Sequence, residues 1–149
     1  MQQEDPNYGR HQEEPRLTRV PVQMSAQDER TWSMIAHLSI LLDLITGIGG
    51  PVAALIIWLV YKDRSQKVAF HALQSLWYQV AWIVILSVGW FITYMLMFVL
   101  IGFLLVPVMA IASIVPFVHQ CYAAYKISQG VDYRYPIIAD MVDGERRVA

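Results

Sequence analysis

The chain has 149 residues, of which 56% are hydrophobic and only 15% are charged. Its 11 basic and 12 acidic side chains leave a net charge of −1, so no overall electrostatic attraction to nucleic acid is expected. The single cysteine, Cys121, excludes an intramolecular disulfide framework and a cysteine-based zinc cluster. The apolar share exceeds that of an average soluble domain and indicates a membrane protein.

The N-terminal part differs in composition from the rest of the chain. Residues 1–27 are rich in Gln, Glu, Arg and Pro and poor in large apolar groups, which predicts a disordered polar arm. They lack the basic region, apolar core and small-residue cleavage site of a cleavable signal peptide. Ser25 followed by Asp28 is a capping-box pattern, which predicts that a first helix begins at residue 26.

A first pair of apolar helices is predicted on either side of a glycine-rich turn. The stretch 32–61 carries one charge, Asp43, and the expected helices cover 26–46 and 51–61. Glycine's loose backbone and proline's missing donor favour a helix break between them, at Gly47, Gly49, Gly50 and Pro51. Eleven residues reach only ~17 Å, against ~30 Å of bilayer hydrocarbon. Both a fully crossing hairpin and a re-entrant one therefore fit.

A second hairpin is predicted from a long stretch without charges. From Val68 to Tyr125 there are 58 consecutive residues with no Asp, Glu, Lys or Arg. As one helix they would extend ~87 Å, almost three times the hydrocarbon thickness, so the chain must fold back on itself. We expect helices over 65–96 and 103–128 with a turn near Gly102, and bends at Pro107 and Pro116 inside the last helix.

The positions of the basic residues predict the orientation in the membrane. With two hairpins, the N-terminal arm, the 62–67 loop and the C-terminal tail lie on one face, which is cytoplasmic by the positive-inside rule. The predicted fold is therefore an all-α polytopic membrane protein of the bacterial cytoplasmic membrane, with four helices in two hairpins and both termini in the cytoplasm. Residues 28–139 form the membrane domain, and residues 140–149 form a flexible cytoplasmic tail. The face carries every basic residue: Arg10, Arg16, Arg19, Arg30, Lys62, Arg64, Lys67, Lys126, Arg134, Arg146 and Arg147.

Several polar side chains fall within the apolar helices. His37, His71 and His119 are all expected ~6–11 Å from the cytoplasmic boundary, with Gln74 at the same depth. Converging imidazoles could bind a metal ion or carry protons. The alternative is that each side chain makes hydrogen bonds between helices. We favour that alternative because no two histidines have i, i+4 spacing and no carboxylate on a helix accompanies them at that depth.

Asp43 is the only carboxylate in the apolar segments. One interpretation makes it an ion or proton ligand next to a broken helix; the favoured one places it beside the glycine-rich turn, where hydration is easy. No glycine-rich phosphate loop, His-Glu-x-x-His pair or Gly-x-Ser-x-Gly motif is present. Neither a catalytic residue, a cofactor nor a resident metal ion is predicted.

Four segments together resemble a known family. The segments are Arg30–Ser39, Gly50-Pro51 with Trp58 followed by Lys62–Ser65, Val68–Ser75 and Tyr135–Asp140, and the match extends from about Asp28 to Val142. They resemble a domain-of-unknown-function family of short bacterial four-helix membrane proteins. That family is related to the twenty-kilodalton subunit of the chloroplast inner-envelope import translocon.

The resemblance implies four membrane helices with both ends in the cytoplasm, but no catalytic residues. His37, His71 and Gln74 match positions of the family motifs. The expected function is that of a structural or accessory subunit of a membrane complex. Its expected partners are the lipid bilayer and other membrane subunits or further copies of itself, and no nucleic acid. The alternative is a small transporter or channel component with a path along His37, Gln74 and Asp43, and an intramembrane enzyme is the least favoured function.

Overall fold

The computed structural model describes residues 24–148. Over this range the secondary structure is helical, with no strand. Of the predicted disordered arm, residues 1–27, the first 23 residues lie outside the described part of the chain. The helices are α1 (Ala26–Leu38), α2 (Asp43–Thr46), α3 (Gly49–Tyr61), α4 (Gln66–Met97), α5 (Gly102–Ser128) and α6 (Ile138–Val148), and a 3₁₀ segment (Ser39–Leu42) joins α1 to α2.

The first predicted helix is not continuous. It begins as expected after Ser25, whose hydroxyl accepts a hydrogen bond from the Asp28 backbone N–H at 3.1 Å. The α-helix ends at Leu38, and the chain continues as a 3₁₀ segment and then as the one-turn helix α2. The change coincides with Ser39, whose hydroxyl donates to the Ala36 carbonyl at 2.8 Å. Such local side-chain bonds compete with the regular α-helical pattern.

The helix break lies where the glycines predict it. Gly47 has φ = +79°, a left-handed conformation that ends α2 and that side chains other than glycine rarely adopt. The next helix, α3, begins at Gly49 rather than at Pro51. Proline is tolerated there because the first N–H groups of a helix have no acceptor within the helix.

The second hairpin has a tight turn of apolar residues. Helices α4 and α5 extend ~48 Å and ~40 Å and are joined by residues 98–101, so the turn comes before Gly102 and not at it. Leu100 takes the left-handed conformation there, with φ = +64°. Gly102 begins α5 against the backbone of Thr93 and Met97, where a Cβ would not fit. Helix α5 continues through both Pro107 and Pro116.

The first hairpin covers only part of the second. The buried residues of α4 lie between Val68 and Gln79, with Thr93 as the one exception in that helix. Helices α1 and α3 pack against this part of α4, around a core of Ala36, Ile57, Val68 and Ala72. Beyond Gln79 the α4–α5 hairpin continues without a covering helix from the described part of the chain.

The uncovered part of the hairpin is apolar. Helices α4 and α5 are long and apolar enough to cross a membrane. In the most apolar 18-residue stretch of each helix, only 6% of α4 and 11% of α5 is buried. A core helix of a soluble protein would bury most of such a stretch. Large side chains including Phe91, Phe98 and Leu104 are more than half exposed. These helices therefore have the surface of membrane helices.

The C-terminal region, predicted as a flexible tail over residues 140–149, is helical as far as Val148. Helix α6 occupies Ile138–Val148, so the packed domain extends past its predicted end at residue 139. Ala139 and Val142 are 2% and 0% exposed and pack on Phe70 of α4. Their i, i+3 spacing places both on one face of a helix, which explains why this segment folds onto the domain.

Candidate functional site

A row of polar side chains follows one face of α4. His71, Ser75 and Gln79 are spaced four residues apart and are each no more than 1% exposed. The Ser75 hydroxyl contacts the Ala36 carbonyl at 2.7 Å and Gln120 Oε1 at 2.9 Å. The Gln79 amide donates to Ser75 Oγ at 2.9 Å and to Ser39 Oγ at 3.1 Å. These bonds tie α1, α4 and α5 together in an apolar setting.

Two of the predicted histidines meet at the start of this row. His37 Nε2 and His71 Nδ1 are 3.4 Å apart. The other nitrogen of each ring also has a partner: His37 Nδ1 lies 3.2 Å from the Tyr135 hydroxyl, and His71 Nε2 lies 3.6 Å from Asp132 Oδ1. The four side chains Tyr135, His37, His71 and Asp132 therefore form a continuous polar chain from the interior to the surface.

The third predicted histidine belongs to a different set of contacts. His119 lies 2.7 Å from both the Tyr78 and the Tyr133 hydroxyls, one at each ring nitrogen. The ring of Tyr135 stacks on Tyr78, with centroids 4.3 Å apart, and lies 4.9 Å from the His119 ring. Gln74 donates to the Tyr133 carbonyl at 3.2 Å. The segment after α5 thus links Gln74 and the three histidines into one polar cluster.

Asp43 and the helix-break glycines lie apart from the histidines. Asp43 Oδ1 accepts the Gly50 backbone N–H at 2.7 Å, and Thr46 Oγ1 accepts that of Gly49 at 2.7 Å. A Cβ on Gly50 would lie 2.8 Å from Asp43 Oδ2 and closer still to Gln79 Oε1. Asp43 therefore acts as a cap for the first turn of α3, beside the glycine-rich turn where the sequence places it.

An ion pair holds the segment after α5 at the surface end of the cluster. Lys67 Nζ lies 2.6 Å from Asp132 Oδ1. Burial by itself would raise the pKa of the Asp132 carboxyl, but the hydrogen bond and charge of Lys67, together with His71, lower it below its usual value. Burial raises the pKa of the Tyr135 phenol, so this hydroxyl stays protonated.

Acidification is expected to loosen the contact between residues 131–135 and α4. Because the pKa of Asp132 is lower in the folded state, the stabilisation is complete above the unfolded pKa of about 3.9 and is lost as the pH falls through the folded value. A fluorotyrosine at position 135, followed by ¹⁹F NMR in detergent between pH 6 and 2, should report the change. In Asp132→Asn this transition should disappear; an unchanged transition would assign it to another group.

Seven residues of the cluster were not among the predicted site residues. His71, Ser75 and Gln79 form a polar i, i+4 stripe on an apolar helix. This spacing predicts that Ser75 and Gln79 lie on the same helix face as His71. Tyr133 and Tyr135 lie beyond the last apolar helix, where only their alternate spacing marks them. Among the described residues, there is no group of three or more His, Cys, Asp or Glu that could hold a metal ion. The seven residues are Ser75, Tyr78, Gln79, Gln120, Asp132, Tyr133 and Tyr135.

One family comparison gives a match. The model of the magnetosome magnetite crystal formation protein family matches residues 28–142. The resemblance to a family related to the chloroplast import translocon is therefore wrong, although the matched range is the same. Its motifs are short runs of residue types that suit many small helical membrane proteins. No curated protein and no solved structure matches the chain.

Proposed function

The chain belongs to the magnetosome magnetite crystal formation protein family, and on that premise we propose that it is a structural subunit embedded in the magnetosome membrane, with no catalytic activity. The family itself is one of membrane-associated magnetosome proteins. The observation that carries the proposal is the α4–α5 hairpin, whose apolar surface is exposed along most of its length. That surface is suited to lipid and to neighbouring membrane helices.

The proposed topology has α1, α3, α4 and α5 inserted as two hairpins with both ends in the cytoplasm. It is supported by the placement of charge, because no Lys, Arg, Asp or Glu occurs between Val68 and Tyr125. The first hairpin reaches only to the level of Gln79 on α4, which favours a re-entrant arrangement. The turn at residues 98–101 is then the part of the chain nearest the opposite side of the membrane.

This topology restricts how the protein can affect a crystal. Apolar residues form the whole turn from Phe98 to Ile101, and it offers no carboxylate to bind iron or a mineral surface. Apart from Asp43, whose carboxylate caps the first turn of α3, the acidic side chains lie on the cytoplasmic side in this arrangement. The protein therefore acts on crystal formation through the membrane and through other membrane proteins, and not as a mineral-binding template.

Cysteine labelling tests the topology. In a Cys121→Ser background, Asp63→Cys and Gly144→Cys are expected to react with a membrane-impermeant maleimide in vesicles with the cytoplasmic face outward. Val99→Cys, which replaces a residue 60% exposed in the turn, should react only after the vesicles are opened with detergent. Labelling of Val99→Cys in closed vesicles, or protection of Asp63→Cys, would contradict the two-hairpin arrangement.

Photo-crosslinking in isolated magnetosome membranes tests the subunit role. A photoreactive amino acid at Phe91, which is 63% exposed, should give a discrete protein adduct. The matched control is Thr93 of the same helix, which is 1% exposed and should give no intermolecular adduct. Lipid adducts alone along the exposed face, or ion flux through liposomes that contain only this protein, would overturn the subunit role and favour a transporter or channel.

A further inference from the structure

Two imidazole nitrogens face each other inside the bundle, and the proposed structural role does not use them. His37 and His71 are 0% and 1% exposed, and Nε2 of the first lies 3.4 Å from Nδ1 of the second. That distance is long for a hydrogen bond to a nitrogen or oxygen, which is typically about 2.9–3.0 Å. It matches the separation of roughly 3.3–3.4 Å between two nitrogen ligands at ~2.0–2.1 Å from a tetrahedral metal ion.

The outer nitrogen of each ring is held as in many metal sites. Histidine ligands commonly use the second ring nitrogen in a hydrogen bond to a carboxylate or another polar group, which fixes the ring orientation. Here the Asp132 carboxylate lies 3.6 Å from His71 Nε2, within reach of an electrostatic contact, and the Tyr135 hydroxyl lies 3.2 Å from His37 Nδ1. Both inner nitrogens can then present their lone pairs to the same point.

Three buried side-chain oxygens on these two helices have no hydrogen-bond partner: Ser33 Oγ, Gln74 Oε1 and Gln79 Oε1. The first two lie nearest the two histidines in the sequence, and both of these side chains are 0% exposed. Ser33 precedes His37 by four residues on α1, and Gln74 follows His71 by three residues on α4, so each shares a helix face with its histidine. Buried oxygens normally have a partner, and a polar or cationic group bound in this region would supply one.

We propose that His37 and His71 are the protein ligands of a buried transition-metal site between α1 and α4. The ligand is a divalent ion that accepts imidazole and oxygen donors, such as Zn²⁺, Co²⁺ or Fe²⁺. Oxygen from a buried side chain or from water completes the coordination. Residues 131–135 close the site, because Asp132 and Tyr135 orient the two rings. His119 is not a ligand, since both of its nitrogens contact tyrosine hydroxyls.

Cobalt binding tests this site without reference to the function in the cell. The full chain, carrying an affinity tag without histidine, is purified in detergent, treated with a chelator and titrated with Co²⁺. We expect one Co²⁺ per chain, with the visible ligand-field absorption of a four-coordinate site. His37→Gln and His71→Gln should abolish this absorption, and the control His119→Gln should retain it. The proposal is overturned if the wild type gives no such absorption, or if His37→Gln and His71→Gln leave it unchanged.

A second measurement avoids variants that fail to fold. Pulsed electron paramagnetic resonance of the wild-type protein with one Cu²⁺ per chain counts the coordinated imidazoles through their remote nitrogens. Two imidazoles are expected, and none or one would contradict the site. Tyr135→Phe should weaken Co²⁺ binding by roughly tenfold while leaving the cobalt spectrum intact; unchanged affinity would remove Tyr135 from the site. A pair that only shares a proton would bind neither metal.

Discussion

Replacing Tyr135 by alanine is expected to lower the free energy of unfolding by about 3–5 kcal/mol, the usual cost of removing a large buried ring. The ring is 2% exposed, stacks on Tyr78 with centroids 4.3 Å apart, and contacts the His37 ring at 5.6 Å. Its loss would leave a cavity between α4 and the segment that follows α5. The thermal unfolding midpoint in detergent, followed by circular dichroism, measures the change.

Two control variants separate the contributions of Tyr135. Tyr135→Phe keeps the ring and removes only the hydroxyl near His37, so a loss of about 1 kcal/mol is expected. Tyr122→Ala truncates a tyrosine that is 46% exposed and should have a smaller effect than Tyr135→Ala. In Tyr135→Ala, trypsin should also cleave faster after Arg134, because the segment is released. If Tyr135→Ala unfolds no earlier than Tyr122→Ala, the segment does not dock as described.

Replacing Gly102 by alanine is the second change with a large expected effect. A Cβ at this position would be too close to Thr93 O and Met97 N and would lie 2.8 Å from the Leu96 carbonyl carbon. All three are backbone atoms of α4, so no side-chain rotation can relieve the contact. A loss of about 3 kcal/mol is expected from overpacking, measured by thermal unfolding in the same detergent.

Gly144 provides the matched control for Gly102. A Cβ at Gly144 meets nothing within 4 Å, and the residue lies inside α6. Gly144→Ala should therefore be neutral or stabilise the protein by up to about 1 kcal/mol through its better helix propensity. A Gly102→Ala protein as stable as Gly144→Ala would contradict the tight turn between α4 and α5.

The positions of the charged residues and the lengths of the apolar segments predicted most of the helix boundaries. The 58-residue stretch without charges cannot be one membrane helix, and α4 and α5 lie at 66–97 and 102–128, close to the predicted 65–96 and 103–128. Gly47 takes the positive φ that a glycine in a helix break suggests. These features depend on local sequence. Backbone preference and the thickness of a bilayer allow few helix lengths and few positions for the turns.

Features that depend on tertiary contacts could not be predicted in the same way. Helix α6 forms on a short, polar, charged segment, and its apolar face is defined by the docking of Ala139 and Val142 on Phe70. The 3₁₀ segment after Leu38 is likewise associated with Ser39 and its contact to Gln79. The i, i+3 spacing of Ala139 and Val142 marks a helix face, but nothing within these short segments specifies the partner across the bundle.

In the polar cluster, too, some features follow from local sequence and others depend on tertiary contacts. The common depth of the three histidines follows from the rise per residue of a helix, and it places His37 near His71. The contacts of Tyr135 with His37 and of Asp132 with His71 join residues far apart in the sequence. His119 is kept out of the His37–His71 pair by its contacts with two tyrosine hydroxyls. Depth gives one coordinate of a side chain, whereas contacts also require the rotation of each helix about its axis.

In the proposed topology, lipid is the solvent of the α4–α5 hairpin. Extraction of magnetosome membranes with alkaline sodium carbonate tests it most directly, because this treatment strips peripheral proteins and leaves inserted ones in the bilayer. The full chain should remain in the membrane pellet until detergent is added. Release of the protein into the carbonate supernatant would show that the apolar surface of the hairpin is covered by protein instead of lipid, and would contradict the account.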